Sequence, residues 1–221
     1  MAEVIITGYL INKFIYKAFD EIITFIDKKG IRYSCIALGT KKIESKNARN
    51  LFIGSLIEFQ IFKSRGENKL SKLKKATVVE ETNWKIESNK AFNILTNCIT
   101  KVKYTSSEFY TFYKQCLELI NSEKYSDQIN SLIVLYKFLK INGINIELDN
   151  CVMCGKKNIK YMSVEKAGVI CEQCGSTQYG IEVINNLNFL DNKKYNNITE
   201  EINLTTKYLK EVIYKVLEIK V

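Results

Sequence analysis

No histidine and no proline occur among the 221 residues, and arginine appears three times against 30 lysines. Without histidine there are no Ser-His-Asp triads, no Cys-His nucleophiles, no histidine-ligated catalytic zinc and no zinc-deaminase signature. Any metal site must be built from Cys, Asp or Glu. The missing proline and scarce arginine accompany abundant Lys, Ile and Asn, which reads as the codon usage of an AT-rich genome. Lysine in place of arginine, and turns without proline, therefore carry little weight. No stretch approaches the ~20 apolar residues of a membrane-spanning helix. The N-terminal MAEVIITGYL has no basic leader and carries Glu3, unlike a signal peptide. A cytoplasmic location with reduced thiols is expected. The seven cysteines are then metal ligands or small buried apolar residues, not disulfides.

The net charge of +9 is unevenly spread. Residues 1–80 carry a net of +7, residues 81–150 and 181–221 are neutral, and residues 151–180 carry +2. A basic part joined to a neutral part suggests a nucleic-acid-binding module on a separate scaffold. A solubilising surface in a lysine-rich proteome is the plainer alternative.

Residues 1–80 read as five short strands: Glu3–Ile11, Ile22–Asp27, Ile31–Leu38, Phe52–Lys63 and Leu70–Glu80. Tyr33, Cys35 and Ala37 share one face of the third, and Ile57, Phe59 and Ile61 one face of the fourth. Five strands suit an OB-fold, whose open faces bind oligonucleotides, and on count alone an SH3-like barrel or small sandwich as well. From about residue 83 the period becomes helical. Phe92, Leu95, Ile99 and Val102 form one stripe, and Phe109, Phe112, Tyr113, Cys116, Leu117 and Ile120 the next. Thr105 and Glu108 have capping-box spacing. Ser126 starts a helix with Ile129, Leu132, Ile133, Tyr136 and Leu139 inward, which Gly143 ends. A last helix opens at Thr199–Glu201 and carries Leu204, Tyr208, Val212, Val216 and Ile219.

Cys151-x2-Cys154 and Cys171-x2-Cys174 stand 16 residues apart, each followed by glycine. A Cys-x2-Cys turn brings two sulfurs onto one ion, and two such knuckles supply four thiolates in a closed tetrahedral shell. One structural Zn2+ per chain is expected. The same ligands could hold an iron–sulfur cluster, but the paired spacing favours zinc. Cys35, Cys98 and Cys116 sit in apolar patterns and read as core.

Two polar loops concentrate the positive charge. One, between the third and fourth strands, carries Lys41, Lys42, Lys46 and Arg49. The other carries Arg65 and Lys69 and runs on to Lys72, Lys74 and Lys75. On one face of a barrel they would track a phosphate backbone without reading sequence, in a salt-sensitive way. Tyr33 and Phe52 are candidates for base stacking, with barrel core as the default for each.

The order of basic five-stranded module, helices, four-cysteine insertion and final helix resembles the bacterial recombination mediator RecO family. Thr7-Gly8-Tyr9-Leu10 lies in the first strand. Phe25-Ile26-Asp27-Lys28-Lys29-Gly30 is similar to the family's F-T-x-x-x-G, and Ala37–Ser45 to its A-x-G-A-R-R-x-x-S. Gly143–Gly155 and Gly168–Cys174 resemble the approach to its zinc loop and the return from it. Departures are Ile26 for the usual Thr, Lys41-Lys42 for Arg, and Ile146 for Pro. The resemblance implies an α+β protein with an OB-fold barrel at residues 1–80. A helical domain would follow at 81–150 and 181–221, with a zinc-binding insertion at 151–180. It also implies a non-enzymatic, cytoplasmic and nucleoid-associated DNA-repair role. Such a protein binds single- and double-stranded DNA and engages single-strand-binding protein. It anneals complementary strands and, with RecR, helps load RecA onto gapped DNA. In that picture Lys41, Lys42, Lys46, Arg49 and the second basic loop contact DNA. The alternatives are another OB-fold and zinc-ribbon factor acting on RNA or in translation, or a ligase-like enzyme. The enzyme reading is opposed by the lack of a Lys-x-Asp-Gly motif and of a Gly-rich phosphate loop.

Overall fold

The computed structural model describes residues 2–64, 70–82, 89–102, 105–198, 201–219 and 221. Its contacts group into two compact units, Met1–Ser88 with Val102–Asn121, and Asn89–Lys101 with Ser122–Val221. Among the described residues no helix is long and apolar enough to cross a membrane.

The first unit is a closed barrel of β1 (Glu3–Ile15), β2 (Glu21–Asp27), β3 (Arg32–Ala37), β4 (Leu56–Phe62) and β5 (Ser71–Glu80). Around the barrel the order is β1-β2-β3-β5-β4, with β4 returning to β1. The spatial run 4-1-2-3 is a Greek key, and β5 closes it as expected of an OB-fold. All pairings are antiparallel except β3 with β5, joined at Cys35–Ser71 and Ile36–Lys72. Alternation sends Leu10, Ile23, Phe25, Cys35, Ala37, Ile57, Phe59, Ile61, Leu73 and Ala76 into one core with Leu51. Phe25 and Phe59 stack there at 3.9 Å between centroids. Strand β1 runs four residues beyond its expected end at Ile11, because pairing with β2 continues to Ile15–Glu21. Residues 52–55 are not strand, and β4 begins only at Leu56.

Helix α2 (Ser107–Asn121) belongs to this unit and not with the other helices. It buries the six apolar residues of the predicted stripe. Tyr9 of β1 meets Tyr110 at 5.3 Å and Tyr113 at 5.7 Å. The Thr105 hydroxyl donates to the Gly30 carbonyl at 2.6 Å, a partner in the barrel that the capping-box reading did not foresee. Gly30 has φ +80°, and an added Cβ would lie 2.1 Å from the Ser106 carbonyl carbon. Both the left-handed backbone and this approach require glycine.

The second unit holds α1 (Lys90–Lys101), α3 (Asp127–Ile141), α4 (Ile181–Asp191) and α5 (Ile202–Leu217), with a hairpin of β6 (Tyr161–Ser163) and β7 (Gly168–Ile170). The Asp127 carboxylate accepts from the Lys90 and Ala91 amides and so caps α1 from a neighbouring helix. Ser126 caps α3, and Gly143 at φ +77° ends it. Helix α4 lies within the stretch 181–221 expected to be helical, ahead of the last helix whose stripe the sequence displays. The inward set of α5 is Thr205, Thr206, Tyr208, Leu209, Val212 and Ile213, while Val216 is exposed. The expected opening at Thr199–Glu200 lies outside the described residues.

Candidate nucleic-acid interface and metal centre

The four predicted ligands converge. The sulfurs of Cys151, Cys154, Cys171 and Cys174 all lie within 4.8 Å of one another, and those of Cys154 and Cys171 are 3.7 Å apart. A tetrahedral zinc with bonds of ~2.3 Å sets its sulfurs about 3.8 Å apart, so the donor set fits. Local backbone forces this arrangement. The Gly155 amide donates to the Cys151 carbonyl at 2.7 Å, and the Cys174 amide to the Cys171 carbonyl at 3.0 Å, closing one knuckle each. The β6–β7 hairpin brings the knuckles together through the Val152 amide on the Val169 carbonyl. Gly168 allows it, since a Cβ there would sit 2.5 Å from Val152 Cγ1.

Backbone amides favour thiolate at Cys151 and Cys171. Burial pushes the Cys151 thiol up, but the amides of Cys171, Met153 and Cys154 outweigh it and bring the thiol down to about 6. Hydrogen bonds with the thiols of Cys154 and Cys171 push Cys174 up, so the sulfurs share their protons as a group. Helix α5 holds the hairpin through the Tyr208 hydroxyl on the Ser163 carbonyl, 3.3 Å. Cys35, Cys98 and Cys116 are buried and are not members of this cluster.

In the barrel, Lys41, Lys42, Lys46, Arg49, Lys72, Lys74 and Lys75 are exposed. Arg65 and Lys69 lie outside the described residues. Two asparagines that the sequence did not single out bring the loop 39–55 onto β5. Asn47 donates to the Lys74 carbonyl at 3.3 Å and accepts from the Ala76 amide at 3.0 Å, and Asn50 donates to the Ala76 carbonyl at 2.7 Å. They satisfy the edge that β5 presents once it has left β3. Lys46 and Arg49, next to these asparagines in sequence, therefore lie beside the β5 segment that carries Lys72, Lys74 and Lys75.

Not all these cations are unengaged. Lys74 pairs with Glu3 at 2.9 Å, and Lys41 faces the buried Glu21 at 3.8 Å. Tyr33 packs on the core, stacked with Phe25 at 5.3 Å, and its hydroxyl donates to Asp27. Phe52 is half-buried. Tyr33 thus takes the default core role.

A family model described as "Recombination protein O C terminal" matches residues 94–212, from within α1 to within α5 and across the cysteine hairpin. "DNA repair protein RecO" of Mesoplasma florum is 30% identical over 206 residues, 88% of this chain and 77% of that one. Proteins of the same description match from Mycoplasma mycoides subsp. mycoides SC and Clostridium perfringens strain 13. The first is 29% identical over 161 residues, 70% of this chain and 64% of that one. The second is 27% identical over 209 residues, 88% and 85% respectively.

Proposed function

The chain belongs to the RecO family of DNA repair proteins, and from that premise we propose that it is a non-catalytic recombination mediator. It binds single- and double-stranded DNA through the barrel and anneals complementary strands. With RecR it helps load RecA onto gapped DNA covered by single-strand-binding protein. The observation that carries this reading is the fastening of the 39–55 loop to β5 by Asn47 and Asn50, beside which Lys46 and Arg49 of the loop neighbour Lys72, Lys74 and Lys75 of the strand. Lys41, Lys42, Lys46, Arg49, Lys72, Lys74 and Lys75 supply phosphate contacts there, with Arg65 and Lys69 continuing the second loop. Such contacts displace counterions, lower the repulsion between two polyanions and need no covalent chemistry. The four cysteines hold one structural zinc, which closes their shell and leaves no position for a substrate.

The test is strand annealing on complementary DNA coated with single-strand-binding protein. The parent protein accelerates it. The variant Lys42→Glu, Lys46→Glu, Arg49→Glu loses the acceleration and its salt-dependent DNA binding while keeping its thermal unfolding. Absence of acceleration by the parent overturns the mediator reading. Nucleotidyl transfer by pure protein would favour an enzyme, and binding of structured RNA in preference to DNA the translation-related alternative.

A further inference from the structure

Many of the large apolar side chains exposed on the described protein gather at one end of the barrel. Phe14, Ile15, Tyr16 and Phe19 lie at the β1–β2 hairpin, and Leu38 and Ile43 in the loop after β3. Isolated exposed apolar residues are ordinary, but a contiguous group marks a binding surface. Two hydrogen bonds, one between backbones and one from backbone to side chain, tie the Phe19 end of the hairpin to the loop carrying Leu38. The Lys41 amide donates to the Phe19 carbonyl at 3.1 Å, and the Gly39 amide to Asp20 Oδ1 at 2.8 Å. Between hairpin and loop lies a cleft of about 580 Å³ whose lining includes Lys17, Phe19, Asp20, Leu38, Gly39 and Lys42. The Phe19 ring is 55% exposed and has Lys42 Nζ 5.7 Å from its centre, and Lys17 Nζ lies 5.4 Å from the Tyr16 ring.

We propose that this cleft receives an unpaired nucleobase of a single-stranded nucleic acid, stacked on Phe19, with the flanking phosphates beside Lys17 and Lys42. The proposal rests on the reading of the barrel as a nucleic-acid-binding module and adds a stacking site where the β1–β2 hairpin meets Lys42 of the first lysine loop. An apolar protein face would strip water from two ammonium groups without pairing them, whereas a nucleotide offers a π-face and a phosphate together. The nearby acids oppose this little. Asp20 lines the cleft, but its Oδ1 is turned to the Gly39 amide and two lysines stand against its one charge, while Glu21 is buried against Lys41 and Glu44 is the loop's exposed acid. A duplex keeps its base faces inside the stack, so this contact separates single strands from duplex where the lysines do not.

Three fluorescent probes test it in the full chain by anisotropy: an oligothymidine, an abasic oligomer of equal length and a duplex. Phe19→Ala is expected to weaken oligothymidine binding roughly tenfold and leave the other two within about twofold. The slope of log K against log salt stays at its parent value. Phe19→Trp restores the parent affinity. Lys42→Glu weakens all three probes and flattens the salt slope. Phe19 is more than half exposed, so its truncation spares the core. Should the alanine variant fail to fold, Phe19→Leu removes the π-face and is read in its place. Unchanged affinity for oligothymidine, or equal loss on all three probes, overturns the proposal and leaves the cleft to another occupant such as a protein. A parent protein that binds none of the probes overturns instead the reading of the barrel on which the proposal rests.

Discussion

In the barrel, eleven buried side chains from Leu10 to Ala76 share one cluster. The cysteine hairpin is built on Cys151, Ile170 and Cys171, with Val152, Tyr161 and Cys174 half-buried against them. At ~1.5–3 kcal/mol per large buried apolar side chain, the first set can hold five strands closed. The second is far smaller: two three-residue strands make a marginal hairpin in water, and Met162 and Val169 add only two further fully buried side chains. The two regions therefore separate order from function in opposite ways. The barrel is ordered by burial and presents its basic loops and exposed rings as a surface. The hairpin gathers four sulfurs, so an ion bound by them would supply order that its small apolar cluster does not.

The largest expected effect tests that contrast directly. Cys171→Ser, or a strong chelator at neutral pH, should lower bound metal from about one per chain to none. Hydrogen exchange should then quicken at the Val152, Met162 and Cys171 amides, which pair within or beside the hairpin. Amides of the β1–β4 ladder should keep their protection. A hairpin that stays protected after complete metal removal would break the comparison, since its few apolar contacts would then be sufficient.

A smaller effect probes the barrel where burial does not act. Removing Asn47 and Asn50 together leaves the Ala76 amide and carbonyl and the Lys74 carbonyl without these partners. Each lost bond is worth about 0.5–1.5 kcal/mol. The double alanine variant should lose roughly 1.5–4 kcal/mol in thermal unfolding, with the metal content unchanged. It should also weaken DNA binding roughly threefold, because Lys46 and Arg49 lose their fixed place beside β5. Lost stability with unchanged DNA affinity would sharpen the picture differently, making the fastening purely architectural.

What the sequence discloses follows the range of the forces involved. The cysteine quartet is legible because the chelate is encoded in two short spacings. The strands are legible where one face is buried, as at Ile57, Phe59 and Ile61, and the stripe of α2 for the same reason. The end of β1 is not, because Phe14, Ile15 and Tyr16 are exposed and show no alternation. Helix α4 is hidden because one of its inward positions is Asn186, whose side chain donates to Thr205 of α5 and so reads as surface. Asn47 and Asn50 are silent for a further reason. Their partners are backbone atoms 26 to 29 residues away, which carry no residue identity. The grouping of α2 with the barrel rests on Tyr9 and Gly30, whose partners in α2 and the turn before it no local pattern announces.

The smallest expected effect concerns the helices that carry the hairpin. Asp191 at the end of α4 accepts from the Tyr136 hydroxyl of α3 at 2.7 Å and pairs with Lys140. The Lys140 hydrogen bond first, and the Tyr136 hydroxyl next, hold its carboxyl below the usual carboxylate range. A carboxyl that is lower in the folded state stabilises fully above the ordinary carboxylate pKa of ~4, and its contribution is lost as pH falls through the depressed value. The side chain is 43% exposed, so solvent screens the pair to well under 1 kcal/mol. Asp191→Asn keeps an oxygen for Tyr136 and removes the charge. It should therefore lower Tm by about 1–2 °C at pH 7 in low salt, with the deficit shrinking in high salt and closing as the pH falls below the ordinary carboxylate range. An equal deficit at both pH values would mean that Asp191 works by shape and not by charge. The α3–α4 contact would then be held, like the barrel core, by packing alone.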